Sequence, residues 1–365
     1  MKKTDAPAGK EKKWFAAVTL SCLFLFVLCA GLTIFVDPYF HYHAPVKGIS
    51  YSLTDGRYQN DGIARHFKYD TVITGTSMAE NFKTSEADVL FNAHTVKITY
   101  RGGLFKEVDQ GVKRALSSGN DVKRVIRSLD YSFLVKDKDQ KHDDLDFGHL
   151  EPPEFMTNDN PFDAAAYLLN KSIFTEAVAG DLKNSLDGEP SDTFDEYGNW
   201  MAEAPGFGKD QVLSTYVIQG RVSEDIPVSE AELKTVHDNL EQNVIQTALD
   251  NPETEFYLFI TPYSIYYWDM MDSQGKLKWQ LDIEEAAVRQ LLEVPNIKLF
   301  AWGDRADIVT NADNYKDQAH YGDWINTMIL NDMAAGDSLI TKENCDGYFE
   351  RERELYMNFD YEGLH

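Results

Sequence analysis

The chain has 365 residues and carries 60 acidic side chains against 35 basic ones, a formal net charge of −25 at pH 7. A surface this acidic argues against a nucleic-acid partner and against docking along anionic lipid. Two of the three cysteines, Cys22 and Cys29, lie in one apolar segment and only Cys345 lies outside it, which excludes intrachain disulfides and a cysteine-based zinc site in the rest of the chain.

The first predicted element is a membrane-spanning helix. Residues 1–13 are polar and rich in lysine, and Trp14 to Val36 carry no charge. About 20 apolar residues cross a bilayer, whereas a signal peptide has a shorter core followed by a small-residue cleavage site, which is missing here. The preceding lysines predict a cytoplasmic amino terminus. We therefore expect a retained single-pass anchor, with the chain after Asp37 outside a cell that is bacterial, since the exported part lacks disulfides.

Residues 37–68 are predicted to be a juxtamembrane linker that is rich in aromatic side chains and contains His41 and His43. Two hypotheses compete for these histidines. They alternate along an extended segment and could share a metal, but aromatic-rich segments beside a membrane span are typical of the bilayer interface. We favour the interface.

A strand followed by a sharp turn comes next. Thr71–Thr74 is a β-branched run that indicates a buried strand, and Gly75 allows a turn that a Cβ would obstruct. Ser77 lies two residues further on, at the start of a predicted helical turn. A serine in this position is either a helix N-cap or a nucleophile beside dipole-positive amides.

The pattern then alternates between strands and helices. Strands are predicted at His94–Tyr100 and at Arg124–Leu129, with a helix from Leu104 to about Leu116 between them. Strand, helix and strand at this spacing indicate parallel pairing through right-handed crossovers, and hence a doubly wound α/β sheet.

Residues 131–228 break this rhythm and are interpreted as an insertion with a helix near 164–182. Its acidic run at 136–146 lacks the glycine and the final glutamate of a calcium loop, which favours a solvated charge run. An insertion at the carboxyl end of the third strand would overhang the same edge of the sheet as Ser77, where loops commonly determine the substrate.

Regular elements return after residue 228 and complete a five-stranded, mostly parallel sheet. The predicted helices are Ser229–Leu249, Ile283–Leu292 and Tyr321–Ala334, and the predicted strands are Phe256–Thr261 and Ile297–Trp302. The α/β domain therefore covers 69–340, and 341–365 forms a charged surface helix or tail.

A partner for Ser77 follows the last predicted strand. Asp317 and His320 are three residues apart, so they share a face of a helix or turn. The aspartate can then hold one imidazole nitrogen and leave the other to accept a serine proton. Loops after the first and last strands of a parallel sheet open on one edge. An aspartate that caps a helix containing the histidine is the alternative for this pair alone.

Serine after the first strand and Asp-x-x-His after the last resemble the SGNH (GDSL-like) hydrolases and acyltransferases. The resemblance spans about Tyr69–Ala334 without the insertion, and it implies a flavodoxin-like sheet with Ser77, Asp317 and His320 as the catalytic residues. It also implies that Gly102 or Gly103 donates an amide to the oxyanion, as the family's glycine does after the second strand.

Two positions depart from the family pattern. Thr76 replaces the usual aspartate before the nucleophile, and Asp130 stands where the family has an asparagine that donates to the oxyanion. An ionised aspartate cannot donate, and the loss of one such donor typically costs about 10²–10³ in rate. Arg127 or a backbone amide is the candidate replacement.

Within the superfamily, one amino-terminal anchor followed by an external domain resembles the teichoic-acid D-alanine transfer protein and the alginate-type O-acetylation proteins. That resemblance implies a multi-pass membrane O-acyltransferase as partner, a cell-wall polysaccharide or exopolysaccharide as acceptor, and no cofactor. Aromatic side chains that could stack on sugar rings, with core packing as the default for each, are Tyr197, Trp200, Tyr263, Tyr266, Tyr267 and Trp268.

Three functions follow from these observations. The first is a membrane-anchored extracellular serine acyltransferase that forms an acyl-Ser77 intermediate, with a carbohydrate or lipid esterase as its close neighbour. The second, suggested by Asp130, is a non-catalytic scaffold for envelope polymer assembly. The third and weakest is a metal-dependent enzyme that uses His41, His43, His142 and His149.

Overall fold

The structure, a computed structural model, describes residues 8–53, 56–145, 152–158, 160, 164–218 and 220–365. The chain divides into two compact units, Met1–Ser52 with Pro152–Asp192, and Leu53–Glu151 with Thr193–His365. Part of the predicted insertion therefore belongs to the unit that contains the amino-terminal helix. Residues 37–52 of the predicted linker belong to that unit as well.

The α-helices of the described residues are, in chain order, α1 Ala8–Val36, α2 Gly56–His66, α3 Thr84–Phe91, α4 Phe105–Leu116, α5 Glu154–Thr157, α6 Ala164–Leu168, α7 Ala179–Asp187, α8 Lys209–Leu213, α9 Glu230–Leu240, α10 Gln246–Leu249, α11 Ile265–Ser273, α12 Leu277–Leu291, α13 Ala306–Val309, α14 Asp323–Ala335 and α15 Cys345–Met357. The strands are β1 Thr71–Gly75, β2 Thr95–Thr99, β3 Arg124–Leu129, β4 Glu255–Ile260, β5 Ile297–Phe300 and β6 Leu339–Ile340. Segments of π-helix at Ile173–Val178 and Glu241–Ile245 join α6 to α7 and α9 to α10.

In the smaller unit, α1 is long and apolar enough to cross a membrane, and nearly all of its apolar stretch is exposed. A signal sequence has the same character. The helix ends at Val36. The carboxylate of the next residue, Asp37, accepts the backbone N–H groups of His41, Tyr42 and His43 and the hydroxyl of Tyr167. Asp37 and Phe40 adopt left-handed φ values of 48° and 56°, so the chain turns sharply where the apolar helix stops.

The larger unit is built on one six-stranded sheet of order β2-β1-β3-β4-β5-β6. The five strands expected from the sequence are present and parallel, and β6 pairs antiparallel with β5. The prediction of five strands is therefore one short, because a strand of two residues has no periodicity to detect. The order 2-1-3-4-5 is that of flavodoxin-like sheets, in which ligands bind where the strand order reverses, beside the carboxyl end of β1.

Burial explains why these segments are strands. Every residue of β1 and β2 is buried, as are five of the six in both β3 and β4. A parallel sheet covered on both faces requires such apolar, β-branched runs. The helix predicted at Ser229–Leu249 is confirmed as α9, the π-helical turn and α10, and Ser229 caps α9 by accepting the backbone N–H of Glu232.

Candidate active site

The turn after β1 requires glycine at position 75. Gly75 has φ +139°, and a Cβ there would lie 2.0 Å from Ser128 Oγ. Ser128 Oγ accepts the backbone N–H of Thr76 at 3.3 Å. A 3-10 turn then begins at Ser77, so β3 supports the turn that displays this serine.

Ser77, His320 and Asp317 form one hydrogen-bonded chain. Ser77 Oγ lies 2.8 Å from His320 Nε2, and His320 Nδ1 lies 2.8 Å from Asp317 Oδ2 and 3.0 Å from Oδ1. The structure therefore brings together three residues that span 243 positions in sequence. This is the geometry in which an aspartate orients an imidazole and the imidazole removes a proton from a hydroxyl.

Hydrogen bonds from the His320 imidazole and from two backbone amides stabilise the charged form of Asp317. Its Oδ1 accepts the backbone N–H groups of His320 at 2.7 Å and Ala319 at 2.9 Å. Burial alone would raise the pKa of Asp317, but hydrogen bonds from the imidazole and these two amides outweigh it and lower the pKa. A carboxylate that accepts several N–H groups is stabilised in its charged form, so Asp317 holds a negative charge beside the imidazole.

Asp130 lies beneath the serine turn as an acceptor. It is buried, and its carboxylate accepts the hydroxyls of Thr76 at 3.0 Å and Tyr263 at 2.9 Å. Thr76 Oγ1 in turn accepts the backbone N–H of Met78 at 3.2 Å. Thr76 and Asp130, the two departures from the family pattern, are thus bonded to each other and brace the turn that carries Ser77.

Arg127 points away from this edge of the sheet. Its guanidinium donates to the carbonyl oxygens of Asn243 at 2.7 Å and Phe105 at 3.2 Å, in a fully buried position. The hypothesis that Arg127 replaces the missing oxyanion donor is therefore corrected, since its side chain is held between α4 and the π-helical turn after α9.

The two glycines after β2 differ in what their amides can do. The Gly103 N–H donates to Tyr100 O at 2.7 Å, which uses this amide within its own turn. The Gly102 N–H donates to no other group among the described residues, and neither does the Ser77 N–H. Gly102 has φ +65°, and a Cβ there would lie 2.9 Å from the His142 ring. Gly102 and Ser77 thus each present an amide with no acceptor among the described residues, on neighbouring loops at the carboxyl edge.

A buried polar network holds the Gly102 turn. Arg57 Nη2 donates to Arg101 O at 2.9 Å, and His142 Nδ1 lies 2.9 Å from Gly102 O. Glu107 pairs with Arg57 and accepts the backbone N–H of His142 at 2.8 Å. In a trans peptide the N–H points opposite to the C=O, so the bond to Arg101 O turns the Gly102 N–H away from Arg57. Nothing in the local sequence around residue 57 indicated this role.

Trp200 contacts the proposed nucleophile and base directly. Its indole Nε1 donates to Ser77 O at 3.1 Å, its ring lies edge-on to the His320 ring at 5.6 Å, and its backbone N–H donates to Asn81 Oδ1. Trp200 is 6% exposed. Trp200 is therefore placed to position the site, and its burial favours the default of packing over the candidate role in sugar stacking.

The other aromatic candidates are buried parts of the core. The Tyr197 hydroxyl donates to Gly56 O, Tyr263 donates to Asp130, and Trp268 stacks on Tyr356 at 4.0 Å. None of these rings is exposed for stacking against a sugar. These aromatic side chains pack in the core, Tyr197 from the segment before α8, Tyr263 from the segment just before α11 and Trp268 from α11 itself.

Each described histidine of the metal hypothesis has a contact of another kind. His43 lies between the carbonyl oxygens of Ile34 and Ala44, His41 stacks on Tyr167, and His142 holds Gly102. His149 lies outside the described residues. Within those that the structure describes, no group of three or more histidine, cysteine, aspartate or glutamate side chains is placed to hold a metal ion.

No protein-family model matches the chain, and no curated protein matches it. A solved structure from Streptococcus pneumonia, described as "a putative platelet activating factor", is similar over 77% of this chain and 89% of its own, with 11% identity and a TM-score of 0.38. A similarity at this score carries no argument about function.

Proposed function

We propose that this chain is a membrane-anchored serine acyltransferase that modifies a cell-envelope polysaccharide through an acyl-Ser77 intermediate. The observation that supports the proposal is the continuous hydrogen-bond chain from Ser77 Oγ through His320 to Asp317, at 2.8 Å for both links. It lies beside the point where the strand order reverses, which is where doubly wound sheets bind ligands.

In the first step Ser77 Oγ attacks the carbonyl carbon of an acyl donor while its proton passes to His320 Nε2. The negative charge that develops on the carbonyl oxygen is stabilised by the free amides of Ser77 and Gly102. The bond to the leaving group then breaks, and His320 returns the proton to that group. The product of this step is an ester between the acyl group and Ser77.

In the second step a sugar hydroxyl takes the place of the leaving group. His320 removes the proton of this hydroxyl, its oxygen attacks the acyl-serine, and Ser77 leaves with the proton. Water in place of the sugar gives simple hydrolysis, so transfer and esterase activity differ only in which hydroxyl reaches the ester. Helix α1 would tether the site to the membrane, where a multi-pass partner would supply the acyl group.

The test uses the purified full chain in detergent with p-nitrophenyl acetate as donor. We expect release of p-nitrophenol and an acetylated Ser77 peptide in mass spectrometry, both of which the Ser77→Ala variant lacks. A soluble oligosaccharide acceptor distinguishes acetylated glycan from free acetate. Wild-type protein that releases no more p-nitrophenol than Ser77→Ala would refute the serine enzyme. In that case an intact envelope acylation profile in a Ser77→Ala strain would leave the scaffold function.

The anchored, outward-facing topology is tested separately, because it does not depend on the geometry of the site. We expect proteases added to intact cells to cleave the larger unit, and cysteine-labelling reagents that cannot cross membranes to leave residues 8–13 unmodified in single-cysteine variants. The reverse labelling pattern would overturn the orientation.

A further inference from the structure

The indole of Trp200 is fixed against the Ser77 turn at two points. Its backbone N–H donates to Asn81 Oδ1 at 3.1 Å, and its Nε1 donates to Ser77 O at 3.1 Å. Asn81 and Trp200 are both buried. A ring that is held at both its backbone and its far edge therefore lies beside the residue that becomes acylated in the proposed mechanism.

Two residues before Trp200 tie this part of the chain to helices outside the catalytic residues. The carboxylate of Asp195 accepts the backbone N–H of Ser85 at 3.0 Å, in the first turn of α3. The hydroxyl of Tyr197 donates to the carbonyl oxygen of Gly56 at 2.9 Å, where α2 begins. The position of the Trp200 ring is therefore set by α2 and α3 as well as by the Ser77 turn.

The Trp200 ring also covers part of the proposed base. The rings of Trp200 and His320 are nearly perpendicular, at 88°, with centroids 5.6 Å apart. The ammonium group of Lys316 lies over the indole, 3.6 Å from its centroid, and the Lys316 N–H donates to His320 O at 3.0 Å. The His320 side chain is still 27% exposed. One side of the Ser77–His320 pair is thus closed by the indole, and another remains open.

An acyl-serine is resolved by whichever hydroxyl reaches it. In transfer, the bond between the acyl carbon and Ser77 Oγ breaks as a bond to the acceptor oxygen forms, and the acceptor proton passes through His320 to Ser77 Oγ. In hydrolysis, water takes the place of the acceptor and the free acid leaves. Both reactions use the same base, so access decides between them, and a site that excludes water protects its intermediate from hydrolysis.

We propose that Trp200 is a specificity-determining residue that keeps water away from the acyl-serine. The proposal rests on the proposed function and names the residue that favours transfer over hydrolysis. The indole fills one side of the Ser77–His320 pair, and Lys316 covers the face of the indole. An attacking hydroxyl is therefore confined to the open side of the imidazole, where a bound acceptor displaces water.

Hydrolysis of the acetyl-enzyme tests this role on the full chain in detergent. After mixing with a small excess of p-nitrophenyl acetate, release of p-nitrophenol measures acylation, and loss of the acetyl-Ser77 peptide in mass spectrometry measures hydrolysis. In Trp200→Ala we expect the ester to hydrolyse about tenfold faster than in the wild type. A misplaced serine or imidazole would slow both steps, so a gain in hydrolysis separates water exclusion from a merely structural role.

Trp200→Phe is the second variant, which carries the test if the alanine variant does not fold. The smaller ring uncovers less of the site, so the gain in hydrolysis should be smaller but of the same sign. Acylation should become slower, because phenylalanine lacks the N–H that donates to Ser77 O. Opposite changes in the two steps are not expected from a general loss of stability.

Trp279→Ala is the matched control. Trp279 of α12 is 8% exposed, donates from Nε1 to Glu232 Oε1 at 3.1 Å and has the ammonium group of Lys276 5.2 Å from its ring centroid. Its loss should leave hydrolysis of the ester at the wild-type rate. No gain in hydrolysis in either Trp200 variant, or an equal gain in Trp279→Ala, would overturn the proposal. Wild-type protein that forms no acetyl-Ser77 would instead refute the serine enzyme itself.

Discussion

Two regions of the larger unit bury carboxyl groups and leave them in opposite charge states. Asp317, beside Ser77 and His320, accepts one imidazole and two backbone N–H groups, and its pKa is lowered. Glu284 of α12 and Glu352 of α15 are fully buried and receive one hydroxyl each, from Tyr131 at 3.3 Å and Tyr348 at 2.9 Å. Burial raises the pKa of both glutamates.

The depth of burial and the number of donors together explain the difference. An acid that receives several N–H groups stays ionised in a partly buried place, whereas a fully buried acid that receives one hydroxyl favours its neutral form; for Glu284 the neighbouring carboxyl group of Glu352 adds to the effect of burial. Since the same chain also contains buried glutamates with raised pKa values, the ionised state of Asp317 results from the N–H donors of its own loop. The same comparison describes Asp130, which receives two hydroxyls and whose pKa burial raises.

The largest effect is expected for Asp317→Asn. The amide cannot stabilise the imidazolium that forms when His320 accepts the Ser77 proton, and it favours the wrong tautomer, so kcat for p-nitrophenyl acetate should fall by about 10⁴. Asp313→Asn, an exposed residue of the same loop, should retain the wild-type rate. If the kcat of Asp317→Asn lies within tenfold of the wild-type value, the negative charge at this position is not needed for catalysis.

The next effect concerns the glycine that places Ser77. In Gly75→Ala the new Cβ meets Ser128 Oγ at 2.0 Å at φ +139°, so the turn must shift and the serine with it. We expect a loss of at least about 10² in kcat, since a displacement of about 1 Å has that consequence, together with a lower melting temperature.

Gly119→Ala is the matched control for this variant. Gly119 also has a positive φ, +83°, but a Cβ there has nothing within 4 Å. The substitution should therefore lower stability by about 1–3 kcal/mol through backbone strain alone, without a change in kcat. Similar rates for both alanine variants would mean that the Ser77 turn tolerates displacement.

Arg57→Lys tests the orientation of the Gly102 amide. Lysine keeps the positive charge beside Glu107 but lacks the second nitrogen that donates to Arg101 O. Removal of one oxyanion donor typically costs about 10²–10³, and an amide that is only loosened should cost about tenfold in kcat with an unchanged KM. The control is Arg353→Lys, because Arg353 pairs with Asp282 and Glu285 on α12. A rise in KM without a fall in kcat would assign Arg57 to substrate binding.

Sequence patterns predicted those features that depend on local composition. Five buried strands follow from runs such as Thr71–Thr74, and the meeting of Ser77 with His320 follows from the rule that parallel strands share a carboxyl edge. Local patterns are silent about long-range pairs. The antiparallel β6 is too short to show a period, and the bond from Arg57 to Arg101 O joins residues 44 positions apart.

The aromatic residues also show what sequence patterns leave open, namely whether a side chain is buried. For Tyr197 and Trp268 the sequence allows a sugar-binding role beside the default of core packing, and both side chains are buried in the core. The role of Trp200 follows from its hydrogen bond to Ser77 O, and no spacing in the sequence could indicate that bond. Lys97 on β2 is a comparable case: it is fully buried between Val96 and Ile98, and its amine donates to Glu80 O and Phe82 O.

The smallest effect is expected at the buried glutamate pair, and it appears in stability rather than in rate. Burial raises the folded-state pKa of Glu352 above its usual value of 4.5. The folded chain therefore retains a proton that the unfolded chain has released, so the stability contributed by the neutral acid is complete below pH 4.5 and is lost as the pH rises through the folded-state pKa. Each proton retained in this way contributes a slope of about 1.4 kcal/mol per pH unit.

Glu352→Gln removes that titration while it keeps a group that can accept the Tyr348 hydroxyl. Its free energy of unfolding, measured by urea denaturation between about pH 5 and 8, should therefore fall less steeply with pH than that of the wild type, by up to about 1.4 kcal/mol per pH unit. Glu354→Gln, an exposed position on the same helix, should keep the wild-type slope. If Glu352→Gln and Glu284→Gln both keep the wild-type slope, both buried acids are ionised in the folded chain. The contrast with Asp317 then fails, because one hydroxyl donor suffices to hold a buried charge.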